Sequence, residues 1–320
     1  MDSVSFALGI VSNVTEPGDH GYEAVQRNTG SNGSAATRKS GTRTRPAARK
    51  PSATRRKSSG TARVISGDTW QTASDGAASH RRFYRGHDLT AAFDSGEFSK
   101  NVADGSFRDI FPGDYIRKKI TVPAVANLKT STYDVKFIIA DLDIAMDQGT
   151  PRVTAHHAII VPEEPVFYTY MNPSDTNAGG YAESYMHKTV MPAFSKGLTG
   201  AFGEKHLLKS SFDGAGNTSS DPLVCTCRLM TLSMVFGRTP PWYYSCSWSD
   251  FDKDNCLDGK RLAAFSIHSD IQSNGIWYWL SDTLSSSSFA DAYADSSGVD
   301  AHAVGASAHK GGVRPFALLA

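Results

Sequence analysis

Two stretches near the middle of the chain have the continuous apolar pattern of buried strands. They are residues 133–143 and 157–161, each short and rich in β-branched side chains. Pro162 and Pro165 follow the second stretch, and proline ends a strand because it cannot donate to the sheet ladder. We therefore expect two strands in the interior of the fold.

Three other stretches predict helices. Residues 89–98 form a short one, residues 182–194 form a second that breaks near Pro192, and residues 223–236 form a third that is mostly buried. Gly237 marks the end of the third, since glycine readily adopts the left-handed conformation that closes many helices.

Loops and short strands make up the last third of the chain. The strands are predicted at residues 261–267, 277–280, 289–293 and 313–319. Because strands and helices do not alternate regularly, a parallel doubly wound sheet is disfavoured. The pattern indicates an α+β fold with long loops.

The start of the chain differs from the rest in composition and charge. Residues 1–63 contain eleven Lys and Arg side chains against four acidic ones, and ten of these cations lie between Arg38 and Arg63 without an acid among them. Residues 28–63 bury too little apolar surface to offset the entropy of ordering, so we predict that they are flexible and belong to a low-complexity basic arm at residues 1–64. Residues 65–106 are predicted to connect it to a folded domain at residues 107–320.

The charge division limits the partners of the chain. Residues 64–320 carry 22 basic and 28 acidic side chains, a net charge of −6, so a cationic arm is attached to an acidic body. Such an arm suits docking onto a larger particle or onto phosphates, while a solvated linker is the alternative. The cation-rich part of the arm, residues 28–63, has no aromatic side chains for base stacking, which argues against sequence-specific nucleic-acid binding. Apolar runs are too short to insert into a membrane, and no secretory signal is predicted.

The residues that usually carry catalysis do not form a known pattern. Cys225, Cys227, Cys246 and Cys256 have no C-x-x-C spacing and no histidine partners at zinc-site spacing. Free small side chains are favoured over one disulfide between loops. Neither a nucleophile elbow nor a phosphate loop nor a dinucleotide fingerprint is found. We therefore predict a binding protein and not an enzyme.

An aspartate-rich stretch provides the one cofactor candidate, Ca²⁺. Asp250, Asp252, Asp254 and Asp258 alternate as in a calcium loop, in which oxygens converge on one hard cation. The stretch lacks the central glycine and the closing glutamate of an EF-hand, and a solvated turn is the competing interpretation.

Two stretches have the composition of a recognition surface. Trp242, Tyr243, Tyr244 and Trp248 are dense for a loop, and they suit either ligand contact or anchoring of the loop. Residues 285–309 consist mainly of Ser, Ala, Asp, Gly, His and Tyr, and contain no Lys, Glu, Gln, Met or Trp. Small polar residues with a few aromatics form adaptable binding surfaces, although a plain Ser/Ala/Gly-rich loop is the alternative.

Six groups of residues, taken in order, resemble a domain of structural proteins from phages and prophages of gut bacteria. They span roughly residues 107–320, and Ser281 stands where the usual pattern has arginine. The groups are Tyr133, Phe137, Ile139, Asp141 and Asp143; His156, His157, Ile160 and Pro162; Met171, Asn172, Thr176, Gly179, Tyr181 and Ser184; Leu229, Met230, Phe236 and Gly237; Tyr278, Trp279 and Leu280; and Gly312, Val313, Arg314 and Pro315.

The ending of the chain is also similar to the C-type-lectin fold of formylglycine-generating-type proteins and of variable proteins diversified by retroelements. In the variable proteins, adenine-directed mutagenesis of AAC-type codons yields Asn, Ser, Asp, His, Tyr, Ala or Gly, and never Lys, Glu, Gln, Met or Trp. The composition of residues 285–309 fits that rule. The resemblance thus implies a hypervariable, ligand-contacting face on a constant scaffold.

The resemblance implies a C-type-lectin-like display domain on a virion protein made in the host cytoplasm. Its arm would contact other virion proteins, its head would bind a host-cell receptor (protein or glycan), and it would form a homo-oligomer such as a trimer. The candidate contact residues are Asp291, Tyr293, Asp295, Ser296, Asp300, His302, Ser307 and His309, with Tyr243, Tyr244 and Trp248 as neighbours.

Other interpretations of the same residues lead to different expectations. A capsid or tail decoration protein, contributing particle stability or weak adhesion, is the alternative function. A formylglycine-generating-type enzyme needs a reactive cysteine pair, and Cys225 and Cys227 in a helix would not share a face. Arg314 is expected to tie the closing strand to the core, and His156 and His157 to form a hydrogen-bonded pair at a strand edge.

Overall fold

The structure is a computed structural model. For residues 293–295 and 298–303 it describes the backbone only. The described residues are 63–64, 75–125, 127–212, 223–237, 260–273, 275–283, 287–295, 298–308 and 311–320.

The chain folds into a mixed α and β structure with mostly β content. The strands are β1 Arg63–Val64, β2 Phe83–Tyr84, β3 Tyr115–Val122, β4 Ser131–Leu142, β5 Ala158–Pro162, β6 Phe167–Tyr168, β7 Leu207–Leu208, β8 Ser210–Phe212, β9 Leu223–Cys225, β10 Cys227–Leu229, β11 Tyr278–Thr283, β12 Ser288–Asp295, β13 Gly298–Gly305, β14 Gly312–Val313 and β15 Pro315–Leu319.

Short helices connect and cover these strands. None of the helices in the described ranges is long and apolar enough to cross a membrane. They are α1 Ala77–His80, α2 Thr90–Asp94, α3 Glu97–Ala103, α4 Gly180–Glu183, α5 Met191–Phe202, α6 Leu232–Phe236 and α7 Ala263–Ile267, with a π-helix at Met186–Val190 and 3₁₀ turns at Glu204–His206 and Ser269–Gln272.

The larger sheet, in the order β10-β15-β5-β4-β3 with β7 beside β15, curls into a half-barrel. All its pairings are antiparallel, so the expectation against a doubly wound parallel sheet is confirmed. Its strands β4 and β5 confirm the two strands predicted from the apolar runs. In β4, Phe137 and Ile139 pack into one core cluster while Ile138 and Ala140 pack into another. Because both faces of the sheet are covered, the strand has no polar alternation there.

The second sheet has the order β13-β12-β11-β14-β6 and carries most of the C-terminal third of the chain. Strands β11, β12, β14 and β15 confirm three of the four short strands predicted there. The fourth prediction, at residues 261–267, is wrong, since α7 lies there. The carboxylate of Asp141 accepts a hydrogen bond from the backbone N–H of Ala263 in the first turn of α7 (2.8 Å). Asp141 lies 122 positions before Ala263 in the sequence, so no local pattern reveals that it accepts a hydrogen bond at the start of this helix.

The single helix predicted at residues 223–236 is also wrong, because the segment contains β9, β10 and α6. Strand β10 pairs with β15, with Cys227 opposite Ala317, so a distant strand overrides the local helical pattern. The predicted end is confirmed, since Gly237 has φ 77°. Thr231 begins α6, and its side chain accepts a hydrogen bond from the Met234 N–H (3.2 Å).

Proline has a different role from the one predicted at residues 182–194. The expected break near Pro192 is not present, because Pro192 lies in the first turn of α5, which runs on to Phe202. Proline is well tolerated there, since the first N–H groups of a helix have no intrahelical acceptor. The helical segment instead changes its hydrogen bonding earlier, at the π-helix Met186–Val190.

Residues ahead of Phe107 belong to the packed structure. Leu89, Phe93, Phe98 and Val102, from the segment that holds α2 and α3, are all part of the first core cluster. The packed region therefore begins earlier than the sequence predicts, and the short helix expected at residues 89–98 is present as two helices.

Candidate binding surface

Most of residues 285–309 form a β-hairpin. Strands β12 and β13 pair along their whole length, from Ser288 opposite Gly305 to Asp295 opposite Gly298, without a register shift. Alternate residues of a strand lie on opposite faces of a sheet. The alternation of alanine with polar residues in this stretch therefore sorts the hairpin into two faces.

One face of the hairpin belongs to the second core cluster, while the base of the other face, at Phe289, belongs to the first core cluster. Ala290 and Ala292 are fully buried and pack in the second core cluster with Phe265 and Leu280. The register sets Ala303 opposite Ala290 and Ala301 opposite Ala292. We call these positions, together with 294 and 299, the alanine face.

The opposite face holds the predicted contact residues. Asp291 is opposite His302, Tyr293 is opposite Asp300, and Asp295 is opposite Gly298. We call the five positions 291, 293, 295, 300 and 302 the contact face. The strand register thus brings five of the candidate contact residues to one side of one hairpin.

Asp291 lies at the inner end of the contact face. Its side chain is 2% exposed, and it is opposite Trp279 on the neighbouring strand β11. A side chain with so little accessible surface makes little direct contact with a ligand outside the protein. The structure therefore places Asp291 beneath the surface of the face, in contrast to the exposed position expected from the sequence.

Trp279 fixes the base of this surface. Its indole Nε1 donates to the carbonyl oxygen of Thr169 (2.8 Å), and its ring meets that of Trp277 edge to face at 5.2 Å. A Cβ atom on Gly311 would lie 1.9 Å from the Trp279 Nε1 atom, so only glycine fits there. Close approach of the backbone to this indole explains the glycine ahead of β14.

A loop at residues 171–178 supports the open end of the hairpin, directly after β13. The backbone N–H groups of Met171 and Asn172 donate to the carbonyl oxygen of Ala306 (3.0 and 2.9 Å). Asp175 Oδ1 accepts from the backbone N–H of Ser307 (2.8 Å), and hydrogen bonds from Ser307 lower the pKa of the Asp175 carboxyl. Ser307, a candidate contact residue, is half-buried. Asp175 was not singled out from the sequence, because its partner lies 132 residues away.

Arg314 ties the closing strand to the core, as predicted. The residue is 1% exposed, and its Nε donates to the carbonyl oxygen of Pro162 (2.8 Å). One terminal nitrogen donates to the carbonyl oxygens of Ile271 and Gln272, each at 3.0 Å. The guanidinium also lies 4.9 Å from the centre of the Tyr278 ring. This single side chain links β5, the 3₁₀ turn at Ser269–Gln272 and β11.

The expected hydrogen-bonded histidine pair is confirmed. His157 is buried, with Nδ1 3.0 Å from the Ala155 carbonyl oxygen, while its Nε2 accepts from the Ala145 N–H (3.2 Å). Burial lowers the pKa of His157. His156 Nδ1 lies 2.7 Å from an oxygen of Asp143. Within the described ranges, no group of three or more His, Cys, Asp or Glu side chains is arranged to hold a metal ion.

Several predicted residues lie outside the described residues. They are the contact candidates Tyr243, Tyr244, Trp248, Ser296 and His309, the calcium candidates Asp250, Asp252, Asp254 and Asp258, and the cysteines Cys246 and Cys256.

Cys225 is the last residue of β9 and Cys227 the first residue of β10, so neither lies in the predicted helix. Cys225 is half-buried and lines a recess of about 480 Å³ between the helical segment 182–195 and residues 223–227. Cys227 is buried 3.1 Å from Ser195 Oγ, and its burial raises the pKa of the thiol to about 12. At neutral pH this thiol is protonated and a poor nucleophile.

The Cys227 thiol is therefore expected to be unreactive in the folded chain. With about one thiolate in 10⁴ molecules at pH 8, it should be labelled by iodoacetamide only after unfolding in urea. Mass spectrometry of the digested chain measures the labelling, with the urea-unfolded chain as the control. Rapid labelling of Cys227 in the folded chain would contradict the assignment.

Comparison with protein-family models, with curated proteins and with solved structures finds no match for this chain.

Proposed function

We propose that the chain is a phage virion-associated binding protein whose C-type-lectin-like head displays the contact face for attachment to a host receptor. The observation that supports this is the register of the β12–β13 hairpin. Between residues 290 and 303 it collects the aspartate, tyrosine and histidine positions on one side and the small apolar positions on the other.

A hairpin divided in this way can vary its ligand contacts without disturbing the fold. Ala290 and Ala292 of the alanine face pack in the second core cluster, so the backbone position of β12 depends on that face. Substitutions on the contact face leave those contacts in place. This is the property that a hypervariable surface on a constant scaffold requires.

The supports of the hairpin favour binding with little ordering cost. The loop at residues 171–178 holds the open end of the hairpin by hydrogen bonds, and Trp279 anchors the neighbouring strand. A surface that is rigid before binding loses less conformational entropy when it meets its ligand. The proposed head therefore presents its contact residues on strands and not on a free loop.

The chemistry of the contact face indicates what it recognises. Apart from the buried Asp291, it contains two aspartates, one tyrosine and one histidine. Carboxylates accept hydrogen bonds from hydroxyl and ammonium groups, and tyrosine adds apolar area with a polar tip. The face suits a glycan or a basic loop of a surface protein. The basic arm at residues 1–64 is proposed to hold the chain to other virion proteins.

Deep sequencing of the 3′ end of the gene, across a population of the source phage or bacterium, tests the proposal. We expect substitutions at the codons of Tyr293, Asp295, Asp300 and His302, arising at template adenines. The codons of the alanine face should stay constant, because Ala290 and Ala292 are fully buried. A uniform 3′ end, or equal variation on both faces, would contradict a diversified contact face.

Particles that carry defined variants separate attachment from the alternative, a decoration protein that stabilises the particle. The attachment variant combines Tyr293→Ala with Asp295→Ala, and the matched control is Lys119→Ala, an exposed position on the other sheet. Attachment predicts slower adsorption to host cells for the first variant, normal adsorption for the control, and normal particle yield for both. Normal adsorption by the double variant favours the decoration protein. Unstable particles after deletion of residues 1–63 also favour the decoration protein.

A further inference from the structure

Strand β13 is the outer strand of the second sheet. It spans eight residues, Gly298–Gly305, and every one of them is paired with β12. Among the described residues, no strand lies on its other side. Its sequence contains no proline and no lysine, and its pairing has no bulge. Proline, lysine and bulges are among the devices that proteins use to keep an edge strand from pairing with another chain.

The edge of the larger sheet, in the same molecule, is protected. The backbone N–H of Tyr115 in β3 donates to the carbonyl oxygen of His87 (2.9 Å), and its carbonyl oxygen accepts from the Leu89 N–H (2.7 Å). The N–H of Arg117 donates to Thr90 Oγ1 (2.9 Å). The chain thus covers one long edge with its own residues and leaves the other without such cover in the described part.

We propose that β13 pairs with β13 of a second copy of this chain, antiparallel, about a two-fold axis at Ala301 and perpendicular to the sheet. The two five-stranded sheets then become one continuous sheet of ten strands. Each copy uses the same surface, as a two-fold dimer requires. The partner is a second copy because the edge is complementary to itself in this register.

Self-complementarity comes from the order of residues along β13. With Ala301 opposite its own copy, Asp300 is opposite His302 of the second copy, and the pair occurs twice. Directly opposite residues of unlike charge stabilise a strand pair, and like charges destabilise it. Moving the axis to Asp300 or to His302 sets like residues against each other. The register at Ala301 is therefore preferred.

The same register extends a row of polar residues across the dimer. Within one chain, His302 is opposite Asp291. In the dimer it gains Asp300 of the second copy on its other side, so position 302 lies between two aspartate positions. Val299 then falls opposite Ala303, which keeps small apolar residues together on the alanine face. Pairing through one strand buries less than a standard interface of about 1,600 Å², so we expect a weak dimer.

Swapping the two charged residues tests the register. In sedimentation experiments at pH 6 the full chain should show a concentration-dependent dimer. Asp300→His and His302→Asp should each weaken it about tenfold, because each variant sets like charges opposite one another twice. The double variant restores unlike pairs and should restore the dimer. Circular dichroism of each variant identifies any that fails to fold.

Cysteine trapping tests the position of the axis without changing charge. In antiparallel strands directly opposite Cα atoms are about 4.5–5.5 Å apart, which suits a disulfide. The variant Ala301→Cys should therefore form a covalent dimer under mild oxidation. In the matched control Val299→Cys, the two sulfurs are four residues apart along the strands and should not cross-link.

The possible outcomes separate this inference from the proposed function. A chain that stays monomeric at its highest soluble concentration, a double variant no better than the single ones, or cross-linking at Val299→Cys equal to that at Ala301→Cys would each overturn the dimer. None of these results decides whether the 3′ end of the gene varies, but substitutions at the codons of Asp300 and His302 would remove the charge pairs of this register. A confirmed dimer with a uniform 3′ end would leave the dimer standing and remove the diversified face.

Discussion

Replacement of Arg314 by methionine is expected to lower the free energy of unfolding by about 3–5 kcal/mol. The guanidinium is 1% exposed and donates to three backbone carbonyl oxygens, those of Pro162, Ile271 and Gln272. Methionine has a similar length and can pack against Tyr278, but it leaves three buried acceptors without their donor. A buried acceptor without a partner costs about 1–3 kcal/mol, which sets the scale of the loss.

Urea unfolding, followed by tryptophan fluorescence and circular dichroism, measures this effect. Arg152→Met is the matched control, since Arg152 is exposed and its loss should change the free energy of unfolding by no more than about 0.5 kcal/mol. The prediction fails if the Arg314 variant unfolds within about 1 kcal/mol of the natural chain, because a weak effect means that the closing strand does not depend on this residue.

Replacement of Arg85 by methionine should be about as damaging, with a loss of about 3–5 kcal/mol. Arg85 pairs with Asp114, whose side chain is fully buried, at 2.6 Å. Backbone N–H groups of Gly86, His87 and Phe111 also donate to that carboxylate. Removal of the guanidinium leaves a buried charge without its cation, and it loosens the attachment of residues 75–106 to the larger sheet.

A second substitution and a change of pH both test this reason. Asp114→Asn removes the buried charge but keeps an oxygen acceptor, so the double variant should be more stable than Arg85→Met alone. Burial raises the pKa of the Asp114 carboxyl, and a carboxyl whose folded pKa is raised above about 3.9 favours the folded state as it becomes protonated. The stability deficit of Arg85→Met against the natural chain should therefore shrink as the pH falls toward 4. Equal deficits at pH 7 and pH 4 would argue against an uncompensated charge.

The two arginines differ in whether a local sequence pattern could predict their structural role. Arg314 could be assigned a structural role from the sequence, because it sits inside a short closing motif next to a strand. Arg85 could not, since its partner Asp114 is 29 residues away and no periodicity connects them. Long-range polar pairs of this kind are set by packing, which brings together residues that the sequence keeps apart.

The candidate surface, too, was predicted from the sequence only in part. Composition singled out residues 285–309, and the residue types there follow from the sequence alone. Which of them share a face depended on the register of β12 with β13, because a shift by one residue would exchange the two faces. Burial of Asp291 and the support from Asp175 required the second sheet and the loop at residues 171–178.

The sequence by itself determined the strands with strong patterns, since continuous β-branched runs in β4 and β5 have few other places to be buried. It also determined the charge division between the arm and the body. Only the tertiary structure decided which strands and helices residues 223–236 and 261–267 form. Strand β10 forms because β15 offers it a partner, and α7 begins where Asp141 offers an acceptor to its first turn. Local propensity is worth less than about 1 kcal/mol per residue, so such distant partners outweigh it.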